Sequence, residues 1–164
     1  MSVAVAIFLL LVFGGLGVLA GAVVTALAAF LYLSGQMIVV RQSRLGFDET
    51  VEAIQKAIPE RGWSSPGTMD MNAAMAKHDV QFEPRVKIVS MCQPRYAKNV
   101  LTTDRRVACL MPCSIAVWDG DDGNIYVSRV NSGLLGKMFG GNIAKVIGGA
   151  VAGDEERILG NIIR

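Results

Sequence analysis

The pattern of hydrophobic and polar positions changes once along the chain, near residue 40. The segment from Met1 to Val40 contains no Asp, Glu, Lys, Arg or His, and between positions 3 and 33 only Thr25 and Tyr32 carry polar side-chain atoms. About 20 apolar residues suffice to cross the hydrocarbon core of a bilayer. The pattern therefore predicts a single-pass transmembrane anchor helix within residues 1–40, followed by a soluble domain over residues 41–164.

Small side chains recur at spacings of three and four along the predicted anchor, which places them on one face of a helix. They are Gly14, Gly17, Gly21, Thr25 and Ala28. The pair Gly17 and Gly21 forms a GxxxG motif, through which membrane helices approach each other closely. This face predicts a homo-oligomer or docking to subunits of a membrane complex. The alternative is that Gly and Ala are simply common in membrane helices.

Charges beside the span predict its orientation in the membrane. Arg41, Arg44 and Lys56 follow the span, so the positive-inside rule places the C-terminal domain on the cytoplasmic side of the cell inner membrane. An odd number of cysteines, three, also fits a reducing compartment better than a disulfide framework. A periplasmic domain is the alternative. A cleaved signal peptide is disfavoured because the apolar run is much longer than a signal-peptide core.

Beyond the anchor, the chain shows the periodicities of both helices and strands. Phe47, Val51, Ile54 and Ile58 recur at helical spacing and predict an amphipathic helix. A second short helix is predicted over 72–78, and a third begins at Pro94. Strands are predicted over 37–44, 86–91, 113–118 and 125–130, with an interrupted strand after Trp63, and two helices are predicted within 133–163.

These elements do not repeat as strand, helix, strand. The fold class that they favour is α+β, with a small mixed β-sheet packed with helices and preceded by the transmembrane helix. The chain has 16 Lys and Arg against 14 Asp and Glu, and the two signs are interspersed. This balance excludes the basic surface that nucleic-acid binding requires. The expected partners are the lipid bilayer and other membrane-protein subunits.

The cysteines are the strongest candidates for chemistry. Cys92 lies where a predicted strand meets the helix that begins at Pro94, and free backbone N–H groups at such a corner can lower the pKa of a thiol. Cys113 begins another strand, and Met91 and Met111 lie close to the two cysteines in sequence. Two thiols and two thioethers suit redox exchange or Cu(I), the one cofactor that the residues suggest. The alternative is that all three cysteines, including Cys109, only fill the core.

Four segments, taken in order, resemble the domain of unknown function 302 (DUF302) family. They are Gly46-Phe47-Asp48-Glu49-Thr50, Gly62-Trp63, Cys92-Gln93-Pro94-Arg95-Tyr96-Ala97 and Met111-Pro112-Cys113-Ser114-Ile115-Ala116-Val117. The resemblance covers about residues 41–130. It implies a compact α+β fold that is often dimeric, and it implies no reaction. Some relatives have Asn where this chain has Gln93, so the resemblance does not establish how this turn is held.

Two functions from different classes follow. The first is a membrane-anchored accessory or binding domain that self-associates or joins a membrane complex. The second is a thiol-based redox or sulfur-handling domain, or a Cu(I) site, with Cys92 and Cys113 as the catalytic residues and Cys92 as the nucleophile. The sequence does not decide whether the protein is an enzyme.

Overall fold

The computed structural model describes residues 3–164, with side chains for residues 17, 18 and 20–164. The chain divides into two compact units, Met1–Gln36 and Met37–Arg164. The first unit consists of helix α1, Val3–Gly35. Within the residues whose side chains are described, no helix is both long and apolar enough to cross a membrane. The first part of the predicted span, including Gly14, lies outside those residues.

The second unit is built on one five-stranded sheet. Its strands are β1 (Ile38–Gln42), β2 (Ser64–Asp70), β3 (Val86–Cys92), β4 (Cys113–Asp119) and β5 (Ile125–Val130). Their order across the sheet is β1-β5-β4-β3-β2, and β1 begins inside the range that the sequence analysis placed in the anchor.

All four strand pairs are antiparallel, so the prediction of a mixed sheet is wrong. The cause is the connection through helix α2 (Phe47–Glu60), which leads from one edge strand to the other. Strands β1 and β2 therefore run in the same direction, but three strands separate them and they never pair. The wider prediction of an α+β fold is confirmed.

One face of the sheet carries the main hydrophobic core. Helix α2 and helix α7 (Ala152–Leu159) cover this face, and their apolar side chains pack on Val89, Ile115 and Val127. The predicted periodicity of α2 is confirmed, since Phe47, Val51, Ile54 and Ile58 are all buried in this core. The first turn of α2 is closed by Glu49, whose Oε2 accepts a hydrogen bond from the Gly46 N–H at 3.1 Å.

The other face of the sheet is not buried by the rest of residues 37–164. The strand pairing places Val40, Ser128, Ala116, Ile88 and Met69, one from each strand, in a single row across this face. None of the five is buried, and Val40 and Met69 are 40% and 57% exposed. We call this surface the open face.

The remaining helices lie at the two ends of the sheet. They are α3 (Met71–Ala76), α4 (Pro94–Thr103), α5 (Ser132–Phe139) and α6 (Gly141–Lys145), together with the 3₁₀ helix Arg105–Leu110 and a π-helical turn, Val146–Val151, that joins α6 to α7. All of them apart from α3 lie at the end of the sheet where β3 ends and β4 begins, and α3 lies at the opposite end, beside the start of β3. Helices α4 and α6, the 3₁₀ helix and the π-helical turn share a second, smaller core. Its buried residues are Val100, Val107, Ile143, Val146 and Ile147.

An ion pair joins the start of β3 to the end of β4, at the hairpin end of the sheet and away from the second core. The Arg85 guanidinium donates hydrogen bonds to both carboxylate oxygens of Asp119, at 2.8 and 3.0 Å. The same guanidinium lies over the ring of Phe47, 4.2 Å from its centroid. The hydrogen bonds from Arg85 lower the pKa of Asp119 below its usual range.

Candidate functional site

A cavity of about 400 Å³ lies between the two hydrophobic cores, where β3 and β4 meet α4 and the C-terminal helices. Its wall is mainly apolar, with Val100, Leu110, Leu135, Ile147 and Val151 among the lining residues. Pockets of this size and character hold small ligands in many proteins. The cavity is therefore the first candidate for a functional site.

Sulfur atoms are concentrated in this wall. All three cysteines, Cys92, Cys109 and Cys113, line the cavity, and so do Met37, Met91 and Met111. The cysteines carry free thiols; Cys109 is exposed, and Cys92 and Cys113 are half-buried. The structure thus brings together every cysteine and methionine that the sequence analysis singled out.

Cys92 and Cys113 are near neighbours with different orientations. Met91 is the direct cross-strand partner of Cys113, and Cys92 is the next residue of β3. Because side chains alternate along a strand, Cys92 and Cys113 leave opposite faces of the sheet. A disulfide between them would therefore require the backbone to move.

The surroundings of Cys113 keep its thiol protonated. Burial, with smaller contributions from Glu155 and Cys92, raises the pKa of Cys113 to about 12. A thiol with this pKa forms very little thiolate at neutral pH, and the thiolate is the nucleophilic form. Of the two cysteines that the sequence analysis paired, Cys92 has a half-buried thiol, and Cys113 has a thiol that does not ionise at neutral pH.

The corner between β3 and α4 is held by Gln93. Its Oε1 accepts hydrogen bonds from the backbone N–H groups of Arg95 and Tyr96, at 2.6 and 3.3 Å. These are two of the N–H groups that a helix start leaves without partners. Gln93 therefore caps this helix, and its hydrogen bonds hold the backbone beside Cys92.

A buried ionic network forms the polar part of the cavity wall. Glu155, which lines the cavity, accepts hydrogen bonds from Arg129 and Ser132, both at 2.9 Å, and all three residues are buried. The second guanidinium nitrogen of Arg129 contacts the exposed Glu156. Burial raises the pKa of Glu155, and the positive charge of Arg129 opposes this shift. The network lets a carboxylate lie against an apolar cavity without an unpaired charge.

Two aromatic residues complete the wall beside this network. Trp63 and Tyr96 meet edge to face, with their ring centroids 5.8 Å apart. The Trp63 Nε1–H and the Tyr96 hydroxyl both donate to Oδ2 of Asp154, at 3.1 and 3.2 Å. Burial and the Asp154 carboxylate raise the pKa of Tyr96, so its hydroxyl remains a neutral donor. The hydrogen bonds to Asp154 therefore fix both rings in the cavity wall.

Close backbone packing shapes the side of the cavity formed by the C-terminal helices. Gly136 of α5 lies against Gly148 in the π-helical turn, and a Cβ added to Gly136 would lie 2.3 Å from the Gly148 nitrogen. Single π turns occur often at functional sites. Here the turn carries Val146, Ile147 and Val151 into the wall of the cavity.

Comparison with known proteins supports the family suggested by the cysteine and proline segments. The family model described as "Domain of unknown function DUF302" matches residues 39–161. The chain belongs to the DUF302 family. An uncharacterized protein of Aquifex aeolicus (strain VF5) is 31% identical over 65 residues, which cover 40% of this chain and 45% of that protein. The DUF302 chain thus spans less than half of that relative's length.

A solved structure shows the same fold. The crystal structure of an uncharacterized conserved DUF302 protein from Bacillus stearothermophilus superimposes with a TM-score of 0.68. It covers 76% of this chain and 97% of that one at 18% identity. This similarity establishes the fold and carries no activity to the present DUF302 protein.

The other predicted site residues belong to α1. Gly17, Gly21, Thr25 and Ala28 are exposed, and a Cβ at Gly17 or Gly21 would contact no described atom within 4 Å. The Thr25 hydroxyl donates to the Gly21 carbonyl oxygen at 2.8 Å. Gly14 lies outside the residues whose side chains are described.

Sequence reasoning missed the acidic side of the site. Glu155, Arg129 and Asp154 were not singled out, although three consecutive acids, Asp154 to Glu156, interrupt an otherwise apolar C-terminal segment. That run of acids was the sequence signal that could have indicated this part of the site. Among the described residues, no group of three or more His, Cys, Asp or Glu side chains is arranged to hold a metal ion.

Proposed function

We propose that this DUF302 protein is a membrane-anchored binding domain that takes up an uncharged, apolar small molecule in the cavity between its two cores. The observation that carries the proposal is the composition of the cavity wall. Of the described residues that line it, none is Lys, Arg, His or Asp, and the single carboxylate, Glu155, is already paired with Arg129. A phosphate or carboxylate ligand would find no cation there, whereas an apolar ligand would bury its surface.

The anchor supports the choice of an apolar ligand. The first forty residues carry no charge, and only Gln36 and Met37 separate the end of α1 from β1. Met37 also lines the cavity. If α1 lies in the bilayer, the cavity belongs to a domain tethered at the lipid surface. The ligand class that this arrangement favours is a neutral molecule of membrane origin.

Binding can be tested through the fluorescence of Trp63. The full chain, with Trp118→Phe so that Trp63 is its only tryptophan, is titrated in nanodiscs with decanol and, separately, with decanoate. We expect decanol to change Trp63 emission and to raise the unfolding temperature. Decanoate at high pH should bind at least about tenfold more weakly than decanol. Failure of decanol to bind, or tighter binding of decanoate, would contradict the proposal.

A matched pair of variants locates the site. Ala97 lines the cavity, and Lys98 is an exposed neighbour in the same helix. Filling the cavity with Ala97→Phe should weaken decanol binding by about tenfold or more, while Lys98→Ala should not change it. Equal affinities for both variants would place the ligand elsewhere.

The anchor and its small-residue face need separate tests. We propose that α1 remains in the membrane fraction after alkaline carbonate extraction, and that removal of residues 1–36 releases the protein. The domain is proposed to face the cytoplasm of the inner membrane, which a C-terminal reporter fusion tests.

The face of Gly17 and Gly21 is proposed to dock another membrane helix. The double variant Gly17→Leu, Gly21→Leu should dissociate such a complex, and the double variant Val18→Leu, Val23→Leu should not.

Thiol chemistry at Cys92 is a second candidate, favoured by the three cysteines that share the cavity. In this function, the Cys92 thiolate attacks a disulfide of a partner molecule, forms a mixed disulfide and releases the partner's other sulfur as a thiolate. Incubation with oxidised glutathione should modify Cys92 faster than Cys109, despite the greater exposure of Cys109. A Cys92→Ser variant should lose this modification, and faster reaction at Cys109 would argue against the role.

Copper binding is the metal form of the second candidate. The thiols of Cys92 and Cys113 and the thioethers of Met91 and Met111 line the cavity and are ligands that Cu(I) prefers. Full-length protein titrated anaerobically with Cu(I) should then bind one equivalent, and a Cys92→Ser, Cys113→Ser variant should bind none. Equal binding by the variant and the natural chain would rule this site out.

A further inference from the structure

Basic side chains are concentrated on the helices at the end of the sheet where β3 ends and β4 begins. The segments that form α4, the 3₁₀ helix, α5 and α6, residues 94–110 and 132–145, contain a single acid, Asp104. Signs that are interspersed along the sequence are thus separated in this part of the fold. We call the exposed basic side chains of these helices the basic surface; they are Arg95, Lys98, Arg105, Arg106, Lys137 and Lys145.

Most of the basic surface has no acidic partner. Apart from Arg106, which pairs with Asp104, its members form no ion pair with any residue that the structure describes. The acids at the start of α7 are already paired, Asp154 with Arg157 and Glu156 with Arg129. Unpaired cations on one surface repel one another, and an anionic partner would relieve this repulsion.

Direct contacts join the helices that carry the basic surface. The side-chain amide of Asn142, in α6, donates hydrogen bonds to Asn99 and Thr103 of α4, both at 2.7 Å. A single residue separates α6 from α5. In α4, Lys98 lies three residues after Arg95, so the two share the exposed side of that helix. The basic side chains therefore belong to one group of packed helices.

This group of helices lies where the chain enters the second unit. Met37 is the first residue of that unit, and its carbonyl oxygen accepts a hydrogen bond from the Asn131 N–H at 2.8 Å. Helix α5 begins at the next residue, and its 8 residues extend only about 12 Å. Its last residues, Lys137, Met138 and Phe139, are therefore close to the entry point. Met138 and Phe139 are 69% and 48% exposed, an apolar pair beside a lysine.

We propose that the basic surface binds the headgroups of an anionic lipid bilayer and that Met138 and Phe139 enter the headgroup region. Anionic lipids of a cytoplasmic leaflet attract Lys and Arg side chains near the membrane surface. Exposed apolar side chains add affinity when they are buried at the boundary of headgroups and acyl chains. The contact is separate from the cavity, because none of the described residues that line the cavity is Lys or Arg. It rests on the proposed function only for the location of α1 in the membrane.

Acetylation of lysines in nanodiscs tests this contact without any substitution. The full chain is placed in nanodiscs of phosphatidylcholine, with or without phosphatidylglycerol, and is treated briefly with a water-soluble acetylating reagent. Peptide mass spectrometry should show that Lys98, Lys137 and Lys145 react at least about fivefold more slowly in the anionic nanodiscs. Lys56 and Lys77 are exposed and lie outside the basic surface, so they should react equally in both.

Salt and charge reversal give the controls. Protection should disappear at about 0.5 M salt, where the Debye length is about 4 Å. The double variant Lys137→Glu, Lys145→Glu should lose the protection of Lys98, and the double variant Lys56→Glu, Lys77→Glu should retain it. All four substituted side chains are exposed, so neither variant should change the unfolding temperature. Equal acetylation of Lys98 in the two kinds of nanodisc would overturn the proposal.

The remaining outcomes separate the basic surface from the anchor and from other anions. A chain that stays in nanodiscs with unprotected lysines would support the anchor and overturn the basic surface. A chain that carbonate extracts, but that binds phosphatidylglycerol vesicles at low salt, would support the basic surface and contradict the anchor. Protection by a DNA duplex in neutral nanodiscs, without protection by phosphatidylglycerol, would make nucleic acid the partner and would also overturn the proposal.

Discussion

Cys92 and Cys113 line the same cavity, yet their surroundings give them different chemistry. Cys113 begins β4 on the covered face, where burial holds its pKa near 12. Cys92 ends β3 beside a helix start capped by Gln93. The two cysteines that the sequence analysis paired are therefore not equivalent, since only Cys113 has a thiol that burial keeps protonated.

Alkylation rates should show this difference. At pH 8, iodoacetamide should modify Cys109 and Cys92, and it should leave Cys113 unmodified until the chain unfolds, because Cys113 has almost no thiolate at that pH. Peptide mass spectrometry of timed samples measures the order. Modification of Cys113 in the folded protein at the rate of Cys109 would show that its surroundings do not protect it.

The ion pair of Arg129 and Glu155 should be costly to break. Glu155→Ala leaves a buried guanidinium whose remaining carboxylate partner is the exposed Glu156, so we expect a loss of about 3–5 kcal/mol in the free energy of unfolding. Glu156→Ala removes the exposed partner and should cost about 1 kcal/mol or less. Urea denaturation of the full chain measures both, and equal losses would contradict the assignment of Glu155 as the essential partner.

At the scale of elements, local sequence patterns predict a helix or strand correctly where its own residues determine its structure. The four buried positions of α2, the start of α4 at Pro94 and the hairpin of β4 and β5 were all predictable. The C-terminal segment was not fully predictable. Its helices are divided by a π-helical turn whose position depends on contact between Gly136 and Gly148, and no local pattern reveals that contact.

That contact gives a prediction with an internal control. Gly136→Ala places a methyl group against the backbone of Gly148, so we expect the free energy of unfolding to fall by about 1–3 kcal/mol and the cavity wall to shift. Gly149→Ala in the same turn meets no described atom within 4 Å and should be neutral or slightly stabilising. Thermal unfolding of the two variants compares them directly. Equal stabilities would mean that the glycine pair is not tightly packed.

At the scale of the whole molecule, the fold depends on pairings between distant parts of the chain. The α+β class followed from the mixture of elements, but the antiparallel sheet did not, because periodicity does not reveal that α2 leads from one edge strand to the other. The cavity wall was predictable only in part. Most of its sulfur atoms lie in or beside two recognisable segments, whereas Glu155 and Arg129 lie 26 positions apart and meet only through tertiary packing.

The pH dependence of stability should reflect the ion pair at the hairpin end. The pKa of Asp119 is lower in the folded chain than in the unfolded chain, so its stabilising contribution is present above the unfolded value of about 4 and is lost as pH falls through the folded value. Asp119→Asn should therefore make stability less dependent on pH below about 4. Asp121→Asn, in the same turn and exposed, serves as the control. If the free energy of unfolding of Asp119→Asn falls at acid pH as steeply as that of the natural chain, Arg85 does not stabilise the carboxylate.

The first strand of the sheet has consequences for how the protein is made. Strand β1 leaves the ribosome directly after α1, but its partners are β5 and the segment around Ile163 and Arg164, which are synthesised much later. Until then, β1 presents unpaired N–H and C=O groups on both sides, and such edges recruit other strands. During synthesis, β1 can pair only after the C-terminal half of the chain has been made. A protein translated in crowded polysomes would therefore be most vulnerable to aggregation at this strand.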